Sequence, residues 1–331
     1  MPTPPAYMGF VGFVRFSNAD HPNYDSVTGQ VIRATSADIA LKQEITKPDV
    51  VDSRYDRSLY QLGPQIIEGN ISFPAVYGTV TGQGNVFAAT YYYAVARDAT
   101  SGLLSKLDFD IKYAENEDPN ISAFVFEDNI LDTWQFSVTA EEVVNITIGV
   151  IGTTRKRASA VETIPPSQTL LSNSRVVTWN DALVTLLAGT SSGYLSTEIG
   201  SSYVRSFECN VNNNSQRFYT LNGLLSPQDI APTKRDITGT VTLMGRHDAL
   251  GQAAVDNDKY CYIDTSIKFG YESNVVQSGC AGKFIVTIPN IVYEIEEISL
   301  SNELFESTVN WHALPNAGTG VNDPMLSSVE T

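Results

Sequence analysis

The chain has 331 residues, of which 42% are hydrophobic and 18% charged, with 16 Tyr and 14 Phe. This composition is typical of an ordered protein rich in strand formers and excludes a disordered chain. The length predicts two domains, and a formal net charge of −16 argues against a protein that works by attracting nucleic-acid phosphates.

Residues 1–30 predict an N-terminal arm followed by a loop. Three Pro precede an apolar segment from Phe10 to Phe16, and turn-forming residues follow it. The segment lacks a basic leader with a cleavage site, and no apolar run in the chain is long enough to span a bilayer. We therefore expect a soluble protein made in a cytoplasm, with no membrane partner.

Residues 31–154 form the first predicted domain. Residues 31–45 and 66–76 predict strands on either side of a long polar loop, Lys47 to Gln65. Residues 134–152, WQFSVTAEEVVNITIGVIG, predict a strand, an acidic turn and a second strand.

Residues 155–175 predict a linker, because the basic tripeptide Arg155-Lys156-Arg157 is followed by two Pro and no apolar periodicity. The second predicted domain, 176–315, opens with a strand pair at 176–187 and 193–202. Residues 316–331 are small and polar and predict a flexible tail.

Each predicted domain has one candidate helix. Residues 90–99, TYYYAVARDA, place Tyr91 and Val95 on one apolar stripe, although three consecutive Tyr suit a strand equally well. Residues 247–258 are the candidate in the second half, with Asp248 as a possible N-cap and Gly251 against a long helix.

The stretch from Val204 to Met244 predicts two strands, VRSFECNV and DITGTVTL, each with one buried face. The intervening loop contains Asn212-Asn213-Asn214, Gly223 and two Pro, and is too long for a tight hairpin. Loops of this length usually carry function.

Two correspondences between the halves predict a tandem duplication. ALKQEITKP…LGPQIIEGNISFPAV aligns with FECNVNNN…LSPQDIAPTKRDITGTVTLM, and residues 134–152 align with 297–314. Both are displaced by roughly 160 to 170 residues in the same order, which favours one repeated domain over a single large sandwich.

The sequence shows no motif for chemistry. The three His (His21, His247 and His312) lie in no recognisable motif, and three widely spaced Cys indicate neither disulfides nor a metal knuckle. We predict no catalytic, cofactor-binding or metal-binding residues. An enzyme remains an alternative only if carboxylates distant in sequence converge in a cleft.

A strand ending in Asn-Asn, a loop with Gly and Pro, the basic pair Lys234-Arg235 and a Thr-Gly-Thr-Val-Thr strand together resemble the two-domain tail-tube (major tail) proteins of bacteriophages. The resemblance implies a mainly β fold with two tandem tail-tube-like β-sandwich or half-barrel domains, each with about one short helix and long loops. It implies a structural virion protein whose rings stack into a tail tube, and a lumen that conducts DNA into the host.

The resemblance also implies partners. Rings would be trimeric and pseudo-hexameric, with a hexamer of the chain as the alternative. Further partners would be the tail terminator, the baseplate or tip, a sheath in tails that have one, and viral DNA that passes without specific binding. The protein would be made in the host bacterial cytoplasm and reside in the virion tail. The net charge of −16 is the sign expected for a lumen wall that repels phosphate.

By resemblance, the loops 47–65 and 212–234 would reach the next ring or a neighbouring subunit. The contact candidates are Tyr55, Tyr60, Phe218, Tyr219, Leu221, Lys234 and Arg235. The alternative, that the aromatic residues cap the core of their own domain, remains open. At the level of the whole protein, the alternatives are a capsid-decoration or fibre protein and a carbohydrate-binding module.

Overall fold

The computed structural model of the protein describes residues 13–17, 30–32, 34–46, 61–76, 78–79, 86–95, 103–112, 123–157, 176–187, 203–244, 266–272, 280–281, 283–294, 306–314 and 326–328. These residues form several antiparallel sheets and one α-helix, which confirms the predicted mainly β fold. Within them, no helix is long and apolar enough to cross a membrane.

The strands of the first half and the helix are β1 Phe13–Ser17, β2 Gln30–Ile32, β3 Ser36–Ala37, β4 Ala40–Thr46, β5 Gln61–Pro74, β6 Gly78–Thr79, α1 Val86–Val95, β7 Leu107–Lys112, β8 Ala123–Thr139, β9 Asn145–Gly152 and β10 Thr154–Arg157. Those that follow are β11 Ala182–Leu187, β12 Val204–Asn212, β13 Gln216–Phe218, β14 Asp229–Ala231, β15 Asp236–Met244, β16 Ser266–Glu272, β17 Cys280–Ala281, β18 Lys283–Ile288, β19 Ile291–Tyr293, β20 Glu306–Ala313 and β21 Leu326–Ser328.

Strand β8 is the centre of the largest sheet, which has 13 strands. Its N-terminal half pairs with β7 and β10, and its C-terminal half pairs with β9 and β12. One continuous path therefore runs β4-β5-β9-β8-β12-β15-β20-β19, antiparallel throughout. The β8–β12 pairing joins the strands of the first half to those of the second in a single sheet.

Alternating side chains give the strands of this path one apolar face, as the sequence predicts for β12 and β15. In β12, Phe207, Cys209 and Val211 are buried, and the residues between them lie on the opposite face. In β15 the buried set is Ile237, Gly239, Val241 and Leu243. Because side chains alternate across a strand, this pattern fixes the register of the sheet relative to its core.

A second layer covers the apolar face. It consists of α1 and a four-stranded sheet in the order β11-β16-β18-β21. The ring of Phe269 in β16 lies 6.4 Å from that of Trp134, and 5.1 Å from those of both Phe136 and Phe207. The ring of Tyr91 in α1 packs edge-on to Trp134 at 5.4 Å. One aromatic core therefore spans the β8–β12 junction.

The helix predicted at 90–99 is present but begins earlier, since α1 spans Val86–Val95. Tyr91, Ala94 and Val95, at positions i, i+3 and i+4, form a buried stripe. Tyr93 is also buried, so the helix buries two of its three Tyr and leaves only Tyr92 of the run exposed. The second candidate helix, 247–258, lies outside the described residues.

The two halves share strand order and register. Ile71 of β5 lies opposite Ile148 of β9, just as Val241 of β15 lies opposite Val309 of β20. Likewise Leu41 of β4 lies opposite Ile67 of β5, and Val211 of β12 lies opposite Ile237 of β15. The shift from 41 to 211 equals the shift from 67 to 237, so the order β4-β5-β9-β8 of the first half corresponds to β12-β15-β20-β19.

Several described strands lie within the segments predicted as arm, loop, linker and tail. Residues of the predicted arm form β1, which pairs with β2 and β7, and residues of the predicted tail form β21, which pairs with β18. The basic tripeptide of the predicted linker lies in β10 against β8, where the Arg155 guanidinium lies 5.0 Å from the centre of the Phe124 ring. Strand β5 begins at Gln61, inside the predicted loop. The predicted strand at 193–202 lies outside the described residues, and β11 pairs with β16.

Candidate assembly surface

The long loop, residues 213–235 between β12 and β15, is an ordered hairpin. Strands β13 and β14 pair within it, with Gln216 opposite Ala231 and Phe218 opposite Asp229. Its tip, residues 219–228, turns at Gly223, whose φ of 79° is a left-handed conformation that favours glycine. The loop is therefore a defined projection from the sheet.

A buried amide anchors the base of the long loop. The side chain of Asn213 is fully buried, and its Nδ2 donates to the carbonyl oxygens of Ala94 at 2.9 Å and Leu131 at 3.1 Å. The backbone N–H of Asn213 donates to the carbonyl of Asp132, whose side chain accepts from the N–H of Ser215. These bonds tie the loop to the end of α1 and to β8.

The middle of the long loop lies against β5 of the first half. Arg217 Nη2 donates to the Ile67 carbonyl at 3.2 Å and to Glu68 Oε2 at 3.0 Å. The Tyr219 hydroxyl donates to the Gln65 carbonyl at 3.1 Å, and the Gln65 N–H donates to the Leu225 carbonyl at 2.8 Å. A loop from the second half is therefore docked on a strand of the first.

Glu68 is the electrostatic centre of this docking. Its carboxylate accepts from Lys42 Nζ at 3.0 Å and from Arg217 at 3.0 Å. The hydrogen bond from Lys42, and then the hydrogen bond from Arg217, lower the pKa of Glu68, while burial opposes the shift. The Glu68 side chain is 40% exposed, so solvent screening keeps each pair to about 1 kcal/mol or less.

Apolar side chains are concentrated in the exposed part of the long loop. Leu221 is fully exposed, Leu224 is 60% exposed, and Phe218, Tyr219 and Leu225 are between 37% and 49% exposed. Ile45 and Leu62, which lie opposite each other in β4 and β5, are each 56% exposed. We call these seven residues the apolar cluster. Large apolar side chains exposed on a loop and on the strand pair beside which it docks are typical of interaction sites.

The structure locates five of the seven contact candidates. Phe218, Tyr219 and Leu221 lie in the apolar cluster, and the Tyr219 hydroxyl also holds the loop on β5. Lys234 and Arg235 lie between β14 and β15, with Lys234 Nζ 3.5 Å from an oxygen of Asp236. Tyr55 and Tyr60 lie outside the described residues, so the contact role of all seven remains a prediction.

Sequence reasoning missed Ile45, Leu62, Leu224, Leu225 and Arg217. An apolar pair directly after Gly223 in a polar loop was the available signal for Leu224 and Leu225, because a turn offers them no core. The Ile45–Leu62 pair depends on strand register, and the Arg217–Glu68 contact joins residues distant in sequence. Neither carries a local signal.

The described residues contain no group of three His, Cys, Asp or Glu able to hold a metal. His312 Nε2 lies 2.7 Å from Glu294 Oε1, but both side chains are about half exposed on the sheet surface. Burial raises the pKa of the Cys209 thiol, which makes it a poor nucleophile. The geometry of these groups supports packing and surface roles.

Comparison with curated proteins found no match. The family model described as phage tail tube protein matches residues 28–313, which include both halves of the sheet and the long loop. This is a family of structural proteins that self-assemble into the tube of the virion tail, and it is not an enzyme family. The chain therefore belongs to the phage tail tube protein family.

Proposed function

We propose that three copies of this chain form a pseudo-hexameric ring, that rings stack through the apolar cluster, and that DNA passes through the lumen during infection. The observation that carries the proposal is the β8–β12 pairing, which joins two strand sets of equal order and register in one sheet. If each set is one copy of a duplicated domain, six copies need three chains.

The ends of the sheet support ring closure. Among the described strands, β4 pairs only with β5, and β19 pairs only with β20. Exposed strand edges present backbone donors and acceptors to another chain, and closing a sheet on itself removes them. Pairing between the β19 edge of one protomer and the β4 edge of the next would repeat, between chains, the joint that β8 and β12 make within one chain.

The long loop suits contacts between rings. Its base is anchored by Asn213 and its middle by Arg217, so the tip projects from a fixed support. Pre-ordering a contact loop lowers the entropy cost of binding. Leu221 and Leu224 would bury apolar surface against the next ring, with Phe218 and Tyr219 beside them. Terminator and baseplate or tip proteins would occupy the two ends of the stack.

The family membership favours a tube over the capsid-decoration, fibre and carbohydrate-binding alternatives, because those functions need no stacked ring. A ring of six chains is the remaining structural alternative. It would place twelve strand sets around the lumen, and mass distinguishes it directly.

Electron microscopy of the purified protein at high concentration, with purified tails as seeds and mass photometry of the dilute sample, tests the proposal. We expect hollow stacked tubes and a three-chain species. The double variant Leu221→Ser/Leu224→Ser should form rings but only short stacks. Its matched control, Val143→Ser/Tyr203→Ser, alters exposed apolar residues outside the apolar cluster and should polymerise normally.

Long tubes from the Leu221→Ser/Leu224→Ser variant would refute the stacking role. A six-chain ring would refute the trimer, and a protein that stays monomeric even with seeds would refute ring formation altogether.

A further inference from the structure

The face of the sheet opposite the aromatic core, on strands β5, β9, β8, β12, β15 and β20, carries mainly hydroxyl and amide side chains; we call it the polar face. One row across these strands is Ser72, Thr147, Gln135, Asn210, Thr238 and His312, each opposite the next. The row has polar side chains on both sides of the β8–β12 junction and contains no acidic residue.

Hydroxyl groups on the polar face bond to each other. Ser72 Oγ lies 3.0 Å from Thr147 Oγ1, and Thr242 Oγ1 lies 3.0 Å from Thr308 Oγ1, in both cases across a strand pair. Hydroxyls engaged in this way have less capacity to bind a passing phosphate.

Most acidic groups of the polar face and its edges have a basic neighbour. Glu68 pairs with Lys42 and Arg217, and Glu306 pairs with Arg205. Asp236 lies beside Lys234, and Glu294 contacts His312. Asp38 accepts from the Asn70 N–H, and Glu208 accepts from Asn210 Nδ2. Among the described residues, these six acidic and four basic groups leave a net charge of −2 with His neutral, whereas the whole chain carries −16.

The two-layer fold determines which face of a closed sheet points inward. Stacked sheets lie about 10 Å apart, so a second layer placed inside a ring would occupy the lumen. With α1 and the four-stranded sheet on the outside, the polar face is left inside. This step rests on the proposed function, since it needs the ring.

We infer that the polar face lines the lumen and that its charge is held close to neutral by ion pairs, so that the wall lets DNA slide mainly because it offers phosphate little to bind. The net charge of the chain would then reside mostly elsewhere, in contrast to the repelling acidic wall expected from composition. Charge–charge forces decay over about 8 Å at physiological salt, so residues at the wall dominate what DNA meets.

Thiol labelling of assembled tubes tests the inference. Gln135→Cys, in a background with Cys261→Ser and Cys280→Ser, puts one thiol in the middle of the polar face; the remaining Cys209 is buried. A polymer-linked maleimide too large for the lumen should label this thiol in dissociated protein but not in tubes. Tyr92→Cys, on the exposed side of α1, is the matched control and should be labelled in both.

The local charge of the lumen wall is measured with cationic and anionic methanethiosulfonates, which are small enough to enter the lumen. The measured quantity is the ratio of the cationic to the anionic labelling rate. At Gln135→Cys this ratio in tubes should stay within about threefold of its value in dissociated protein, whereas an acidic wall would raise it at least about tenfold. Arg205→Gln leaves Glu306 without its ion pair and should raise the ratio severalfold at Thr242→Cys, two strands from β8, while Arg205→Lys should not.

The outcomes separate the inference from the proposed function. Failure of the unmodified protein to form tubes would refute the proposed function. Tubes in which the large maleimide reaches Gln135→Cys would overturn the lumen assignment, and a ratio raised tenfold inside sealed tubes would overturn neutrality. If Gln135→Cys disturbs folding, Thr238→Cys in the same row gives the same test from the second half.

Discussion

Replacement of Asn213 with Ala should destabilise the protein by about 2 kcal/mol. The change removes two donor contacts, at 2.9 Å to Ala94 O and 3.1 Å to Leu131 O, from a fully buried side chain. Each such bond contributes about 1 kcal/mol net, so the two give about 2 kcal/mol, and an acceptor left buried without a donor raises this value. Part of this is offset because the Asn213 Oδ1, which has no partner among the described residues, is also removed.

Urea unfolding of the dilute, unassembled protein measures the effect as a shift in midpoint. Asn145→Ala is the matched control, since its Nδ2 donates to Val143 O at 3.2 Å on the surface, and it should cost less than about 0.5 kcal/mol. Asn213→Asp should be worse than Ala, because a buried carboxylate would face two carbonyl oxygens. An Asn213→Ala midpoint equal to that of the control would refute the anchoring role.

Two further predictions concern the core and the loop docking. Gly239→Ala places a methyl group 2.6 Å from Cε2 of Trp311 and should destabilise the protein by about 2 kcal/mol or more, because the core is overpacked. Gly223→Ala meets no atom within 4 Å and should cost only about 1 kcal/mol, because of its positive φ; equal urea midpoints for the two variants would contradict this prediction. Because the pKa of Glu68 is lowered on folding, its ion pairs stabilise the protein above the free-carboxyl pKa of about 4.5 and are lost as pH falls through the lower, folded value. Glu68→Gln removes both ion pairs, so the stability difference from wild type should be at most about 2 kcal/mol at neutral pH and should vanish on acidification; a difference that persists at pH 2 would show another cause.

Local patterns predicted the strands whose side chains alternate strictly. Strands β12 and β15 were predicted to within a residue or two, and the β8–β9 hairpin was evident from alternation on both sides of an acidic turn. In these segments the buried face and the intrinsic strand propensity agree, so local sequence is sufficient.

Local patterns failed where pairing overrides them. The Gly63-Pro64 pair indicates a loop, yet β5 runs through it, because β4 has a register irregularity between Gln43 and Ile45 and Gln43 Nε2 donates to the Gly63 carbonyl. Strand β1 lies in a segment whose Pro-rich surroundings indicate an arm. The docking of Arg217 on Glu68 depends on the tertiary arrangement of two halves, which a single sequence does not display.

The β8–β12 pairing has a consequence for how the tube is built. Because both strands belong to one polypeptide, they meet at an effective concentration set by the connecting chain and independent of how much protein is present. In a three-chain ring, half of the joints would form during folding, and only the other half would depend on encounters between molecules. The covalent connection also allows the two halves to diverge in sequence, because each half remains paired with the other even when its surface residues change. The long loop, with Asn213 at its base and exposed leucines at its tip, would then be free to change in sequence independently of residues 47–65, the segment of the first half that aligns with it.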